Sequence, residues 1–331
     1  MPANLPPNYY ELEREFKREK NPQEKLRLAR ELLALMPKHK GTEKLQADLK
    51  AKIARLRRQT EGKERRHGAR TAETFDHIDR EGAAQVIFIG PPNSGKSSLL
   101  DSLTNASPLI GDYPYTTREP LTGMMDFETI QIQLIDTPPI SEEVLESFVL
   151  NLIRQADLAV LVVDVSTPGL DNRLKVVRDR LEEKRIRLVP KVLEELKEPI
   201  FIYKKTIIAA HKFLDENGDV GLAWLREQYP DFTIAPTSIL DDEVMAAFRA
   251  TIFRALEIIR IYTKPVGKEP DFTDPIILPM GGTVEDAGLT LHKDFVRRLQ
   301  YAKVWGKGKF EGQRVKNNFV LSDGDIVEFH I

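Results

Sequence analysis

The chain has 331 residues, 41% hydrophobic and 30% charged, enough for about two globular domains with a sizeable core. Its 49 Lys+Arg against 51 Asp+Glu leave a formal net charge of −2, so only the distribution of charge, not its sum, can point to a polyanionic partner. Cysteine is absent, which excludes disulfides and thiolate zinc sites and fits a reducing cytoplasm; no apolar run approaches the roughly 18 residues of a membrane span.

Residues 1–83 read as a helical region with a basic arm. Leu28, Leu32 and Leu35, then Leu45, Leu49, Ile53 and Leu56, recur at helical spacing, and Pro37 and Gly41 between them predict a helical hairpin. Residues 43–70 carry 10 Lys+Arg against 4 Asp+Glu. A solvated helix face accounts for that pattern, and so does an arm for RNA or another acidic partner.

Residues 84–264 alternate short apolar runs with helical patterns: AQVIFIG then SSLLDSLTNA, IQIQLIDT then EEVLESFVLNLIRQA, LAVLVVDV then a charged helix, KTIIAAH then LAWLREQY, FTIAPTS then EVMAAFRATIFRALEIIRIY. Such alternation predicts an α/β fold, a mostly parallel sheet with helices on both faces, whose ligands sit at the carboxyl ends of the strands. GPPNSGKS, Gly90 to Ser97, follows the first strand and opens a helix, matching a P-loop in the context that supports one. Glycines let backbone N–H groups face phosphates, Lys96 supplies a cation to the β- and γ-phosphates, and the Ser97 hydroxyl reaches Mg²⁺. Asp136 ends a later strand, as a ligand of metal-bound water does. Between them lies YPYTTREP (113–120), with paired threonines.

Residues 265–331 read as a small third unit. TKPVGKEPDFTDP (263–275) reads as a linker, ILPMG and DIVEFHI as strands, VEDAGLTLHKDFVRRLQYA as a helix and SDGD (322–325) as a tight turn. Residues 293–316 carry eight positive and two negative charges, with Tyr301, Trp305 and Phe310 among them. That mixture suits RNA, by phosphate contact and base stacking, or equally a small sheet whose core takes the aromatics.

GPPNSGKSSLL and YPYTTREP resemble the P-loop and first switch of the TRAFAC-class GTPases. TVEDAGLTLHKDFVRRLQYAKVWGKGKFEGQRV followed by SDGDIVEF resembles a TGS domain, and KHKGTEKLQADLKAKIARLRRQ resembles a leading helical element. Together they resemble the Obg-like branch that contains the developmentally regulated GTP-binding proteins. The resemblance implies a P-loop GTPase domain, an N-terminal helical hairpin and a C-terminal α+β TGS domain of ubiquitin-like fold. It implies GTP/GDP and Mg²⁺, with Ser97, Thr117 and Asp136 around the metal and Lys96, Thr117 and Asp136 carrying hydrolysis. The nucleotide-binding set is Gly90, Asn93, Ser94, Gly95, Lys96, Ser97 and Ser98 on the phosphate side and Lys212, Asp215, Thr237 and Ser238 on the base side. Asn93 occupies a place that in related GTPases helps hold K⁺. Ile140 falls where Ras-like proteins carry a catalytic glutamine, so a cation and a repositioned loop must orient the water.

Three departures stand out. Pro139 replaces a glycine whose amide would contact the γ-phosphate, and proline has no N–H to give. The base motif, Asn-Lys-x-Asp in the family, reads His211-Lys212-Phe213-Leu214, with Asp215 one residue late. EEKRIRLVPKVLEELKEP (182–199) resembles the entry to a small inserted domain that is otherwise missing. The reading is a slow, Mg²⁺-dependent GTPase acting on the ribosome or structured RNA through its TGS domain and basic arm. It has an activating protein partner, no membrane or DNA partner, and a cytoplasmic location. An ATPase of altered base specificity, or a hydrolysis-impaired scaffold for RNA, remain open on the same residues.

Overall fold

The computed structural model describes Leu28, Leu32, Phe75, residues 77–104, 120–192, Glu198, 200–291 and 299–330. Met1–Phe75 and Asp76–Ile331 are separate compact units. In the first, Leu28 and Leu32 are helical and buried, as their spacing predicts. The rest of the hairpin and the basic arm lie outside the described residues.

The second unit holds two sheets. The first is ordered β2-β3-β1-β4-β6-β5, with β7 also on β6. Its strands are β1 (Gln85–Ile89), β2 (Leu121–Phe127), β3 (Ile130–Asp136), β4 (Leu158–Asp164), β5 (Ile186–Val189), β6 (Ile202–His211) and β7 (Ile234–Thr237). All pairings are parallel except the hairpin β2–β3. Both β1 and β4 are buried along their whole length, which is why they read as continuous apolar runs. Ile87, Ala159 and Leu161 face one core with the helices Ser147–Gln155, Leu170–Glu183 and Gly218–Gln228. Phe88, Val160 and Val162 face the other, with the helices Lys96–Leu103 and Asp242–Leu256.

The second sheet runs β11-β10-β12-β8-β9, from β8 (Ile258–Thr263), β9 (Asp271–Pro279), β10 (Tyr301–Trp305), β11 (Gln313–Val315) and β12 (Ile326–His330). One face packs with the helix Val284–Leu291 around Ile259, Ile261, Ala302, Val304 and Val327.

Three sequence expectations change here. The long helix stops at Leu256: Glu257 turns left-handed at φ 52°, and IIRIY after it, whose isoleucines suit either state, enters β8 of the second sheet. The C-terminal sheet thus begins in the stretch read as the end of the nucleotide domain. The linker at 263–275 is a hairpin, because its prolines fall at the turn and on β9, an edge strand that tolerates Pro275. The helix over 284–302 is described over Val284–Leu291, and Tyr301 already belongs to β10. SDGD forms its turn, with the Asp325 amide donating to Ser322 and Gly324 at φ 84°.

The sheets join through β8. Arg260 pairs with Asp323 of its own sheet at 2.7 Å and with Glu128 at the β2–β3 turn, and its guanidinium lies over Phe253 at 4.8 Å. Tyr262 and Thr129 share a hydrogen bond of 2.8 Å.

Candidate functional site

Residues 90–95 leave β1 and enter the helix Lys96–Leu103 through a run of positive φ values: 155° at Gly90, 57° at Asn93 and 90° at Gly95. At Gly95 glycine is required twice over. Its φ is left-handed, and a Cβ there would stand 2.2 Å from Cδ2 of His211. Gly90 leaves no room either, since a Cβ would meet the Val162 carbonyl at 2.3 Å.

Asn93, Ser94, Gly95, Lys96, Ser97, Ser98 and Asp136 line one cavity of about 560 Å³, closed on the far side by Thr137, Pro138, Pro139, Val144 and Glu146. Gly90 stands behind it. Its carbonyl accepts from the Lys96 ammonium at 3.4 Å and from the Ile140 amide at 3.0 Å. Lys96 also reaches the Pro91 carbonyl and the Ser94 hydroxyl. Ser97 Oγ donates to Asp136 Oδ2 at 2.5 Å, while Asp136 Oδ1 is buried without a partner. Burial pushes the Asp136 carboxyl up, against the Ser97 hydrogen bond and the Lys96 charge. Burial likewise pulls the Lys96 ammonium down, against Asp136. Two charges of opposite sign are thus held in a poorly solvated wall. A hydroxyl beside a carboxylate with one unsatisfied oxygen suits a hard divalent cation such as Mg²⁺. A buried ammonium on the first residue of a helix suits phosphate.

The segment after Asp136 is fastened down. Thr137 Oγ1 donates to the Phe88 carbonyl at 2.7 Å, and Ile140 is 1% exposed in the core. Pro138 and Pro139 offer no amide, and the Ile140 amide is taken by Gly90.

The base-side residues come from the ends of β6 and β7. His211 and Thr237 are register partners, with His211 Nδ1 3.2 Å from Thr237 Oγ1, and the Lys212 amide donates to the Thr237 carbonyl. His211 is therefore a buried strut between Gly95 and β7. Burial, helped by the Lys212 charge, keeps its pKa below the ordinary value. Lys212 Nζ donates to Asp164 Oδ2 at 2.6 Å, and Asp164 also accepts from the Ser166 amide and hydroxyl. Burial alone would raise Asp164; these hydrogen bonds outweigh it and hold it ionised. Leu214 is 55% exposed and Asp215 is exposed in the turn, its amide donating to the Lys212 carbonyl. Thr237 and Ser238 are buried.

The structure thus gathers Asn93 to Ser98 and Asp136 in one cavity, with Gly90 behind it, and through His211 places Thr237 near Gly95, while Asp215 stays in the exposed turn. Thr117 lies outside the described residues. Sequence reasoning missed Asp164 as the partner of Lys212; the strand-end rule that singles out Asp136 applies equally to the last residue of β4.

A P-loop on the first strand, with a carboxylate at the end of the neighbouring parallel strand, defines a P-loop nucleoside triphosphatase, and the relatives narrow it to a GTPase. The family described as 50S ribosome-binding GTPase matches residues 85–205, and the TGS domain family matches residues 259–331. An uncharacterized GTP-binding protein of Methanocaldococcus jannaschii is 32% identical over 92% of both chains. Developmentally-regulated GTP-binding protein 1 of Xenopus laevis is 27% identical over 89% of this chain and 95% of its own. The chain belongs to the Obg-like family of GTP-binding proteins of the developmentally regulated type, with a C-terminal TGS domain.

Proposed function

We propose that the protein is a Mg²⁺-dependent GTPase of low intrinsic turnover that acts on the ribosome or on structured RNA. The observation that carries the catalytic half is the Ser97–Asp136 pair, with its unsatisfied Oδ1, beside the buried Lys96. Ser97 and Thr117 would hold the metal and Asp136 would reach it through water; a bound Mg²⁺ supplies charge neutralisation of the phosphates. Lys96 and the amides of residues 93–98 bind and orient the phosphates and stabilise charge on them. Low turnover follows from Ile140, whose side chain is in the core and cannot orient a water. Potassium at Asn93 or an activating protein would supply what is missing. Support for the RNA half comes from the TGS match and from the excess of cations in residues 293–316.

Guanine selection has weaker support. Leu214 brings no carboxylate to the base side, and Asp215 follows it. A site stripped of such a partner loses discrimination, which favours ATP acceptance as the second reading. Calorimetric titration of nucleotide-free protein with GTP, GDP and ATP, in Mg²⁺ with K⁺ or Na⁺, separates the two. Guanine-selective binding with slow, K⁺-stimulated turnover is expected. Equal or tighter ATP binding transfers the assignment to an ATPase, and binding without turnover transfers it to a scaffold. Ribosome co-sedimentation that survives both deletion of 276–331 and neutralisation of the basic arm would reject those two regions as the RNA-binding elements, and binding to neither ribosomes nor RNA would reject the RNA half.

A further inference from the structure

We propose that the open face of the C-terminal sheet binds an unpaired RNA segment, its bases stacking beside Trp305 and on the Tyr301–Arg314 pair and its phosphates meeting Lys303, Arg314 and Lys264. The proposal rests on the RNA reading above and names the chemistry of the partner and where it is held.

The strand β10, YAKVW, alternates strictly. Ala302 and Val304 are fully buried in the core, which leaves Tyr301, Lys303 and Trp305 together on the opposite face, each partly buried. The aromatics therefore do not build the core of this sheet. Register continues the face onto both neighbours: Lys303 lies opposite Arg314 of β11 and Glu328 of β12, and Tyr301 lies opposite His330. Arg314 sits 3.7 Å over the Tyr301 ring, and the His330 ring stacks on its other side with centroids 4.4 Å apart. This pile of planar groups ends on the guanidinium of Arg314, which is exposed. Lys264 lies 4.9 Å from the Trp305 ring.

Charge points to the occupant. Two cations placed directly opposite each other on neighbouring strands, Lys303 and Arg314, repel. The carboxylate on this face, Glu328, is already shared by Lys264 at 2.7 Å, Lys303 at 3.6 Å and His330 at 2.7 Å. Lys264, Lys303 and Arg314 against Glu328 leave a surplus of positive charge among planar rings. Sheets that present aromatics on their central strands take unpaired bases by stacking, and their cations take the phosphates between. A duplex hides its base faces and satisfies only the charge. The nucleotide domain meets the same face at Arg260 and Tyr262, so RNA bound there lies beside the β2–β3 hairpin that ends in Asp136.

The test is fluorescence anisotropy of full-length protein with a labelled single-stranded RNA decamer and a duplex of equal length, across a salt series. The single strand is expected to bind more tightly. Arg314→Ala and Lys303→Ala should each lower the salt slope by about one, and Trp305→Ala should cost about tenfold in affinity. Arg226→Ala, on the helix Gly218–Gln228 of the other domain, should change nothing. Because Arg314 is exposed, its variant keeps the test sound should Trp305→Ala fail to fold. Preference for the duplex, equal displacement by polyglutamate, or wild-type binding by the face variants would overturn the proposal and leave the RNA reading standing. Binding to neither RNA nor ribosomes would remove both.

Discussion

The two sheets of residues 76–331 meet water in different ways. The nucleotide domain buries both faces of a parallel sheet, so chemistry is available only where strands stop: Asp136, Asp164, His211 and Thr237 are the last residues of β3, β4, β6 and β7. The C-terminal sheet buries one face and presents Tyr301, Lys303, Trp305 and Arg314 on the other. Burying both faces drives a ligand to an edge of the sheet, where backbone amides and helix ends converge. Burying one leaves a broad surface that only side chains can make specific.

The largest effects should come from breaking the strand-end site while sparing the open face. Lys96→Ala should weaken GTP binding about 100-fold, since hydrogen bonds to charged groups are worth roughly 1.5–3 kcal/mol each. Gly95→Ala should do at least as much, because its Cβ would run into His211. Gly95→Ala/His211→Ala should recover only part, since the left-handed φ of 90° remains. RNA binding should be untouched by all three. Loss of RNA binding in Lys96→Ala would mean that the two sheets do not act as separate sites. Pro139→Gly is expected to raise turnover only modestly, because Ile140 still fastens the segment to Gly90; full switching in that variant would show that the proline alone was the obstacle.

Arg260 joins the two regions, and its removal should be the next largest effect. It is 8% exposed and holds Asp323 and Glu128, which are 34% and 61% exposed. Breaking a fully buried pair costs roughly 3–5 kcal/mol; with partners this wet, Arg260→Met should cost about 2 kcal/mol in urea unfolding. Adding Asp323→Asn and Glu128→Gln should restore part of it. No change on Arg260→Met would mean the junction is ornamental and the sheets are coupled elsewhere.

The phosphate half of the site was legible in the sequence because its geometry forces a contiguous signature: left-handed turns demand glycine, and one lysine must follow them. Asp136 was legible for a different reason, as a polar residue closing an apolar strand, a rule that Asp164 at the end of β4 obeys as well. The base half was not, since the partner of Lys212 is Asp164, 48 positions away. The parallel fold was legible from continuous apolar runs. The strand β8 was not, because EIIRIY extends the apolar spacing of the preceding helix and the left-handed stop at Glu257 carries no glycine. Nor was the open face, since the helix expected over 284–302 took in Tyr301 and Ala302, whereas both belong to β10, in which Ala302 and Val304 share the core.

The end of the parallel sheet opposite the nucleotide tests whether that domain is uniform. Lys204, near the start of β6, donates to the carbonyls of Arg154 and Ala156, where the helix Ser147–Gln155 ends. Burial lowers its pKa from the ordinary 10.5 to about 8. Between those values the unfolded chain holds the proton more readily than the folded one. Stability should therefore rise as pH increases from about 8 toward 10.5, and be least, in this respect, below 8. Chemical denaturation across that range should show the slope, and Lys204→Met should abolish it without altering GTP affinity. A slope unchanged in the variant would assign it to another group.

The smallest effect sharpens the comparison most. Thr129 Oγ1 and the Tyr262 hydroxyl form a hydrogen bond of 2.8 Å between the β2–β3 turn and β8. Thr129→Val, Tyr262→Phe and the double variant make a cycle whose coupling should be about 0.5–1.5 kcal/mol. If the junction passes information, the coupling should change when GTP replaces GDP, because the hairpin that carries Thr129 also ends in Asp136. Equal coupling in both states would mean that the bond holds the two sheets together and reports nothing of the nucleotide. The open face would then act as an anchor for its partner rather than as the output of a switch.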